Sequence, residues 1–170
     1  IFVMGYAFAG TWSSTSTANA PLTGGSVNIT NTINTQYGAV TNAMPEKLIL
    51  GVPYYGNQWV TNSGSARAST TSHESYIYFD TALSGSQTYG INWDSQSQTP
   101  WYSWNDGTNW HQVWFDDDES LGLKYQLAIE KGLAGVGMWA LGYDGNASEL
   151  WAELDFRFGS GDEPVPPTPI

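Results

Sequence analysis

The spacing of apolar residues changes along this chain, and each change marks an element. Leu121, Tyr125 and Ala128 recur at helical spacing, with Leu123 and Leu127 widening the apolar face. The acidic run Asp116–Glu119 precedes that stripe and suits the positive end of a helix dipole, while Gly132 follows it and suits the C′ position. A helix over Ser120–Lys131 is predicted. Past Gly132 the period drops to two. Gly135, Gly137 and Trp139 share one face of a predicted strand Leu133–Ala140, and Ala134, Val136 and Met138 share the other. Two glycines beneath the Trp139 indole leave room for a large flat ring to lie across a crowded interior.

Two more strand–helix units precede this one, and a last helix follows it. A strand at Ile1–Ala7 leads through a Gly/Ser/Thr-rich loop to a helix near Val27–Gly38. A second strand at Lys47–Val52 leads, after a long irregular segment, to the Ser120–Lys131 helix. The third strand is followed by a helix at Ala147–Arg157. Strands alternating with helices argue for an α/β fold with a parallel sheet and right-handed crossovers.

The segment Tyr54–Gln112 breaks this rhythm. It carries short β-like pieces at Ser75–Phe79, Ile91–Asp94, Trp101–Trp104 and His111–Phe115, with a turn signal at Asn105-Asp106-Gly107. We read it as a small, mostly antiparallel insertion on the strand-end face. Without it, about 110 residues serve three units, close to the roughly 30 per unit of an eightfold α/β barrel. Three units cannot close such a barrel, so the expectation is that the other five precede Ile1 in a longer protein. From Gly159 a proline-rich stretch, residues 159–170, reads as an extended linker.

Composition narrows the partners. Sixteen Asp and Glu against five Lys and Arg give a formal charge of −11, which argues against nucleic acid or an anionic membrane. Nothing in the chain resembles a membrane span. Without cysteine there is neither a disulfide framework nor a thiolate metal site. Nine tryptophans and ten tyrosines supply flat amphipathic rings, of the kind that stack on pyranose faces and hydrogen-bond hydroxyls.

Among these rings Trp139 stands out, because the carboxyl ends of parallel strands carry function and a tryptophan there is a candidate ligand floor. Trp12, Trp59, Trp101, Trp104 and Trp110 fall in loops or the insertion, and Trp59 and Trp101 are favoured as further stacking platforms. Asp144, just past the Trp139 strand, is placed to hydrogen-bond either substrate or loop backbone. The Asp116–Glu119 run reads as helix capping and a solvated acidic face rather than a metal site. His73 and His111 show no partner pattern and read as surface or structural residues. Gly24-Gly25 lacks the strand–loop–helix context of a phosphate loop.

Several motifs, taken in order, resemble the C-terminal portion of a glycoside hydrolase family 18 catalytic domain. They are VMGY at Val3–Tyr6, APL at Ala20–Leu22, EKLILGVPYYG at Glu46–Gly56, TPWY at Thr99–Tyr102, VWFDD at Val113–Asp117 and GLAGVGMWALGYDG at Gly132–Gly145. The resemblance covers residues 1–158. It implies the last three strand–helix units of a (β/α)8 TIM barrel, the N-terminal barrel part absent, with an α+β insertion at 57–112.

The resemblance also implies a chemistry. A glutamic acid protonates the glycosidic oxygen while the substrate's own 2-acetamido oxygen attacks the anomeric carbon, unlike the usual two-carboxylate scheme. By position, Tyr6 matches the tyrosine that holds the acetamido group, Met4 a methionine lining the same pocket, and Trp139 the subsite floor. No metal or organic cofactor is required. The implied substrate is a polymer or oligomer containing β-1,4-linked N-acetylglucosamine, met outside the cell.

Two departures qualify the match. Ala7 stands where the family usually has aspartate. The Asp-x-x-Asp-x-Asp-x-Glu signature that carries the proton donor occurs nowhere in the chain. The fragment alone is therefore expected to be inactive. An alternative is a chitooligosaccharide-binding, lectin-like relative of the same fold. An independent aromatic carbohydrate-binding module is the more distant reading, because such modules are typically all-β. Three parallel strands with bare edges also invite self-association of the incomplete barrel.

Overall fold

The structure is a computed structural model that describes residues 1–159. The linker expected over residues 159–170 lies, but for Gly159, outside the described residues. Two sheets organise the chain. The first is parallel, with strands β1 (Phe2–Met4), β2 (Ile49–Pro53) and β8 (Gly135–Trp139) in the order β1-β2-β8. The second is antiparallel, in the order β4-β3-β7-β6-β5. It is built from β3 (Tyr55–Thr61), β4 (Thr70–Tyr78), β5 (Asn92–Asp94), β6 (Thr99–Asn105) and β7 (Trp110–Trp114).

Each parallel strand leads to helical structure, as the alternation predicts. After β1 come α1 (Ile29–Asn31), a wide turn at Thr32–Gln36 and α2 (Gly38–Ala43). The helical path starts at Asn28, whose side chain accepts from the Asn31 amide. It runs past Gly38, where the sequence pattern ends it, because Thr41 ties back to the Ile33 and Tyr37 carbonyls. Helix α4 (Asp118–Glu130) serves the second unit and α5 (Glu149–Phe158) the third.

The start of α4 explains its acidic run residue by residue. Asp117 and Ser120 form a reciprocal capping box. The solvated face expected of the whole run fails at Asp116, which turns inward and pairs with Lys124, both side chains fully buried. Gly132 then closes the helix with φ +65°, the left-handed conformation that favours glycine at C′. Leu121, Tyr125 and Ala128 are buried, as their spacing predicts.

Register assigns the faces of the parallel sheet. Val3 pairs with Leu50, and Leu50 with Val136. These residues, with Val52 and Met138, pack into the main apolar core beside Ile29, Ile33, Leu121 and Tyr125. On the other face Met4, Gly51 and Gly137 lie level, followed by Pro53 and Trp139. The flat ring across those glycines belongs to Phe2: a Cβ built on Gly137 would meet its ring at 2.6 Å, and one on Gly51 would clash outright.

The insertion is α+β, but two of its elements escape the sequence pattern. β3 is an inner strand of its sheet, pairing with both β4 and β7. Its alternation is masked because Asn57, though polar, is fully buried. Asn57 bonds to Asn19, His73 and the Ala9 carbonyl, so its burial leaves little unsatisfied. Helix α3 (Phe79–Tyr89) carries no clear sequence pattern either. Its inward positions Phe79, Ala82 and Ser86 include only one large apolar residue, so no stripe is visible.

Candidate functional site

The carboxyl ends of β1, β2 and β8 open toward the insertion. Between them lies a cavity of about 430 Å³, lined by Ala7, Tyr55, Tyr76, Tyr78, Trp139 and Tyr143. Three sources supply the walls. Ala7 and Trp139 come from the ends of the first and third parallel strands. Tyr55, Tyr76 and Tyr78 come from β3 and β4 of the insertion. Tyr143 comes from the loop after β8.

Backbone hydrogen bonds tie these parts together. The Tyr54 amide donates to the Trp139 carbonyl at 2.8 Å, and the Phe79 amide donates to the Tyr143 carbonyl at 3.0 Å. The rings then brace one another. Tyr78 stacks on Tyr143 with centroids 4.2 Å apart, and Tyr55 meets Tyr6, Tyr76 and Tyr143 edge-on. Trp139 is 54% exposed, so its indole offers a face to a ligand. The Trp139–Ala140 peptide is cis.

No charged side chain lines this cavity. Burial raises the hydroxyls of Tyr6 and Tyr55 above their usual pKa, which keeps both protonated and able to donate at neutral pH. The cavity therefore combines aromatic faces with neutral hydroxyl tips. That chemistry suits an uncharged, hydroxylated ligand with apolar ring faces.

The structure sorts the residues singled out in the sequence. Tyr6 sits at the same sheet end as Trp139 and reaches the cavity through Tyr55, whose ring centroid is 6.3 Å away. Met4 lies one pleat lower on that face, two-thirds exposed and outside the cavity lining. Asp144 is buried; it accepts from the Trp151 indole at 2.7 Å and from the Gly142 amide at 3.1 Å. Its bonds thus go to helix and loop.

Trp59 and Trp101 require correction as stacking platforms. Trp59 is fully enclosed and Trp101 nearly so, and with Trp114, Ala9 and Ala18 they form a second core beneath the loop after β1. Trp101 stacks on Trp114 at 5.3 Å, leaving no face for a sugar. The physical reason is the face they occupy. Register places Trp59, Trp101 and Trp114 on the side of the sheet that this loop covers.

Tyr55, Tyr76, Tyr78 and Tyr143 were not among the residues expected in the site. For two of them a signal was present: Tyr76 and Tyr78 are two apart in a strand and must share a face. Tyr143 has no such local mark, since only the loop's path brings it against Tyr78. Among the described residues no group of His, Asp and Glu side chains could hold a metal ion, and no helix is long and apolar enough to cross a membrane.

Comparison with known proteins agrees with this fold. Chitinase A1 of Niallia circulans is 31% identical over 169 residues, covering 86% of this chain and 24% of that protein. Mouse di-N-acetylchitobiase is 29% identical over 139 residues, covering 66% of this chain and 38% of that protein. The crystal structure of a Cycas revoluta GH18 chitinase in complex with (GlcNAc)3 superposes with a TM-score of 0.80 at 25% identity, covering 93% of this chain and 46% of that one. The chain thus spans less than half the length of each of these relatives. The model of the glycosyl hydrolases family 18 matches residues 1–144, and the chain belongs to that family.

Proposed function

We propose that this chain supplies one wall of the active site of a secreted glycosidase acting on β-1,4-linked N-acetylglucosamine polymers, with retention and substrate assistance. The uncharged, tyrosine-rich cavity under Trp139 carries the reading. Trp139 stacks on the sugar that is cleaved, and the Tyr6 hydroxyl orients the acetamido group that attacks the anomeric carbon. The proton donor comes from a strand outside this chain. Pre-setting the internal nucleophile is an orientation effect, for which loss of a positioning group costs about a hundredfold.

In the intact protein, Tyr6→Phe lowers kcat on a chromogenic chitooligosaccharide by about 10²-fold with a smaller change in KM. A kcat equal to wild type removes Tyr6 from the mechanism. The chain alone turns over none of this substrate, so measurable turnover by the purified chain would overturn the shared-site reading.

Ala7 favours a second reading, in which the cleft binds chitooligosaccharides without cleaving them. Ala7 lines the cavity and brings no carboxylate to it. Turnover by the intact protein separates the two, since both bind.

A further inference from the structure

Beside the tyrosine cavity lies a set of buried amides that the chemistry proposed above does not use. Asn57 on β3 and Asn19 in the loop after β1 are both fully enclosed. The Asn57 side-chain amide donates to the Ala9 carbonyl at 3.4 Å and to Asn19 Oδ1 at 3.3 Å. The Asn19 side-chain amide donates in turn to the Tyr55 carbonyl at 3.2 Å, and the Asn19 backbone carbonyl accepts from the Phe8 amide at 3.0 Å. His73, half-buried on β4, completes the set with its Nε2 2.9 Å from Asn57 Oδ1. We propose that Asn57, Asn19 and His73 are positioning residues for the sugar cavity, setting Tyr55 and Tyr76 against Ala7. That the cavity takes a sugar rests on the function proposed above; the positioning of the rings does not.

The direction of every bond in the set is determined. Backbone carbonyls only accept, so those of Ala9 and Tyr55 fix which end of each amide carries the hydrogens. Asn57 Oδ1 therefore faces His73, and His73 Nε2 is the donor. The bonds run one way, from His73 through Asn57 and Asn19 to the Tyr55 carbonyl. Reversing either amide would set oxygen against oxygen and leave buried groups unpaired, which holds the set to one geometry. An aliphatic side chain on β3 would fill the same space without fixing any direction.

Each contact ends on or beside a residue that lines the cavity. Ala9 lies two residues past Ala7, and Tyr55 is reached at its own carbonyl. Tyr76 faces Asn57 across the β3–β4 ladder, and the His73 ring packs against it with centroids 4.8 Å apart. The other three lining residues have different supports. Tyr78 stacks on Tyr143, whose carbonyl accepts from Phe79, and the Trp139 carbonyl accepts from Tyr54. The cavity thus has two halves, which meet where Tyr55 touches Tyr143 edge-on. The amide set supports only the half that holds Ala7, Tyr55 and Tyr76, and it does so from side chains already locked in place.

The test uses the intact protein, (GlcNAc)3 and two variants of His73, which sits on the edge strand β4 and is half-buried. His73→Phe keeps a ring beside Tyr76 and loses the donor. His73→Gln keeps an N–H near the place of Nε2 and loses the ring. In His73→Phe the Tyr55 and Tyr76 ring signals shift in NMR spectra, while those of Tyr78 and the Trp139 indole stay still. The same variant binds (GlcNAc)3 about fivefold more weakly, the worth of one neutral hydrogen bond. His73→Gln recovers most of that affinity. A His73→Phe variant that melts at a lower temperature yet binds as wild type does overturns the proposal, because a merely structural network behaves that way. Tyr78 and Trp139 moving as far as Tyr55 and Tyr76 overturns it too, as does His73→Gln binding as weakly as His73→Phe. If the wild type binds no (GlcNAc)3, the sugar reading fails, and the positioning stands or falls on the ring signals of the two variants.

Discussion

The two sheets of this molecule solve the same problem with different chemistry. The parallel sheet buries Val3, Leu50 and Val52 against helices and packs the half-buried Val136 and Met138 beside them, an aliphatic layer whose order follows strand register. The antiparallel sheet buries Trp59, Trp101 and Trp114 together with Asn57 and Gln112, so its interior is aromatic and hydrogen-bonded. Aliphatic burial repeats with the period of the element and tolerates local error. Aromatic and polar burial depends on partners brought from far along the chain, such as Ser16, which donates to Gln112 across 96 residues. The candidate site lies where the two meet, taking Trp139 and Tyr143 from one side and Tyr55, Tyr76 and Tyr78 from the other.

That contrast can be broken from either side. In the parallel half, Lys124→Met leaves Asp116 buried and uncompensated and destabilises the fold by about 3–5 kcal/mol in urea titration. Adding Asp116→Leu restores most of that loss, because the penalty comes from the unpaired charge. In the insertion, Trp59→Ala costs about 3–5 kcal/mol through the void it leaves and through lost contacts with His73. Trp139→Ala, at an exposed ring, leaves stability nearly unchanged and instead weakens chitooligosaccharide binding by about tenfold. Equal effects of the two tryptophans on stability and on binding would erase the distinction drawn between core and site.

A smaller effect tests pH. Burial alone would lower the pKa of His111, but hydrogen bonds to Glu74 and Asp106 and their charges outweigh it and raise it above 6.5. A base whose folded pKa is raised adds stability that is full below its unfolded value and fades as pH rises through the folded one. The insertion therefore loosens from pH 6.5 upward while the parallel sheet does not, which hydrogen exchange of β7 against β8 resolves. In a His111→Gln variant this pH step is absent. The smallest effect is at Ala7, whose φ of +60° strains any residue with a Cβ. Ala7→Gly raises stability by about 1 kcal/mol, read as a higher melting temperature.

Much of the parallel half was legible because its signals are local. The α4 stripe, its acidic start, Gly132 and the alternating faces around Trp139 each lie within one element. The Asn105-Asp106-Gly107 turn was legible for the same reason: the Asp106 carboxylate accepts from the Thr108 and Asn109 amides. The insertion was harder. α3 buries one large residue, Phe79, beside small ones, and Gly85 there leaves space for the Tyr102 hydroxyl, a contact that no helical period encodes. Trp59 and Trp101 looked like platforms because an indole carries no mark of which face of a sheet it occupies.

Residue order alone therefore settles what repeats within a few residues: helix, strand, cap, turn and the inward face of each. Family membership is written at that level too, in short motifs that survive without their surroundings. Which tryptophans are core, which tyrosines meet, and where cavities remain were settled by packing between segments tens of residues apart. The reason is that a side chain's exposure is a property of whatever covers it, and here the covering loop, strand or helix comes from elsewhere in the chain.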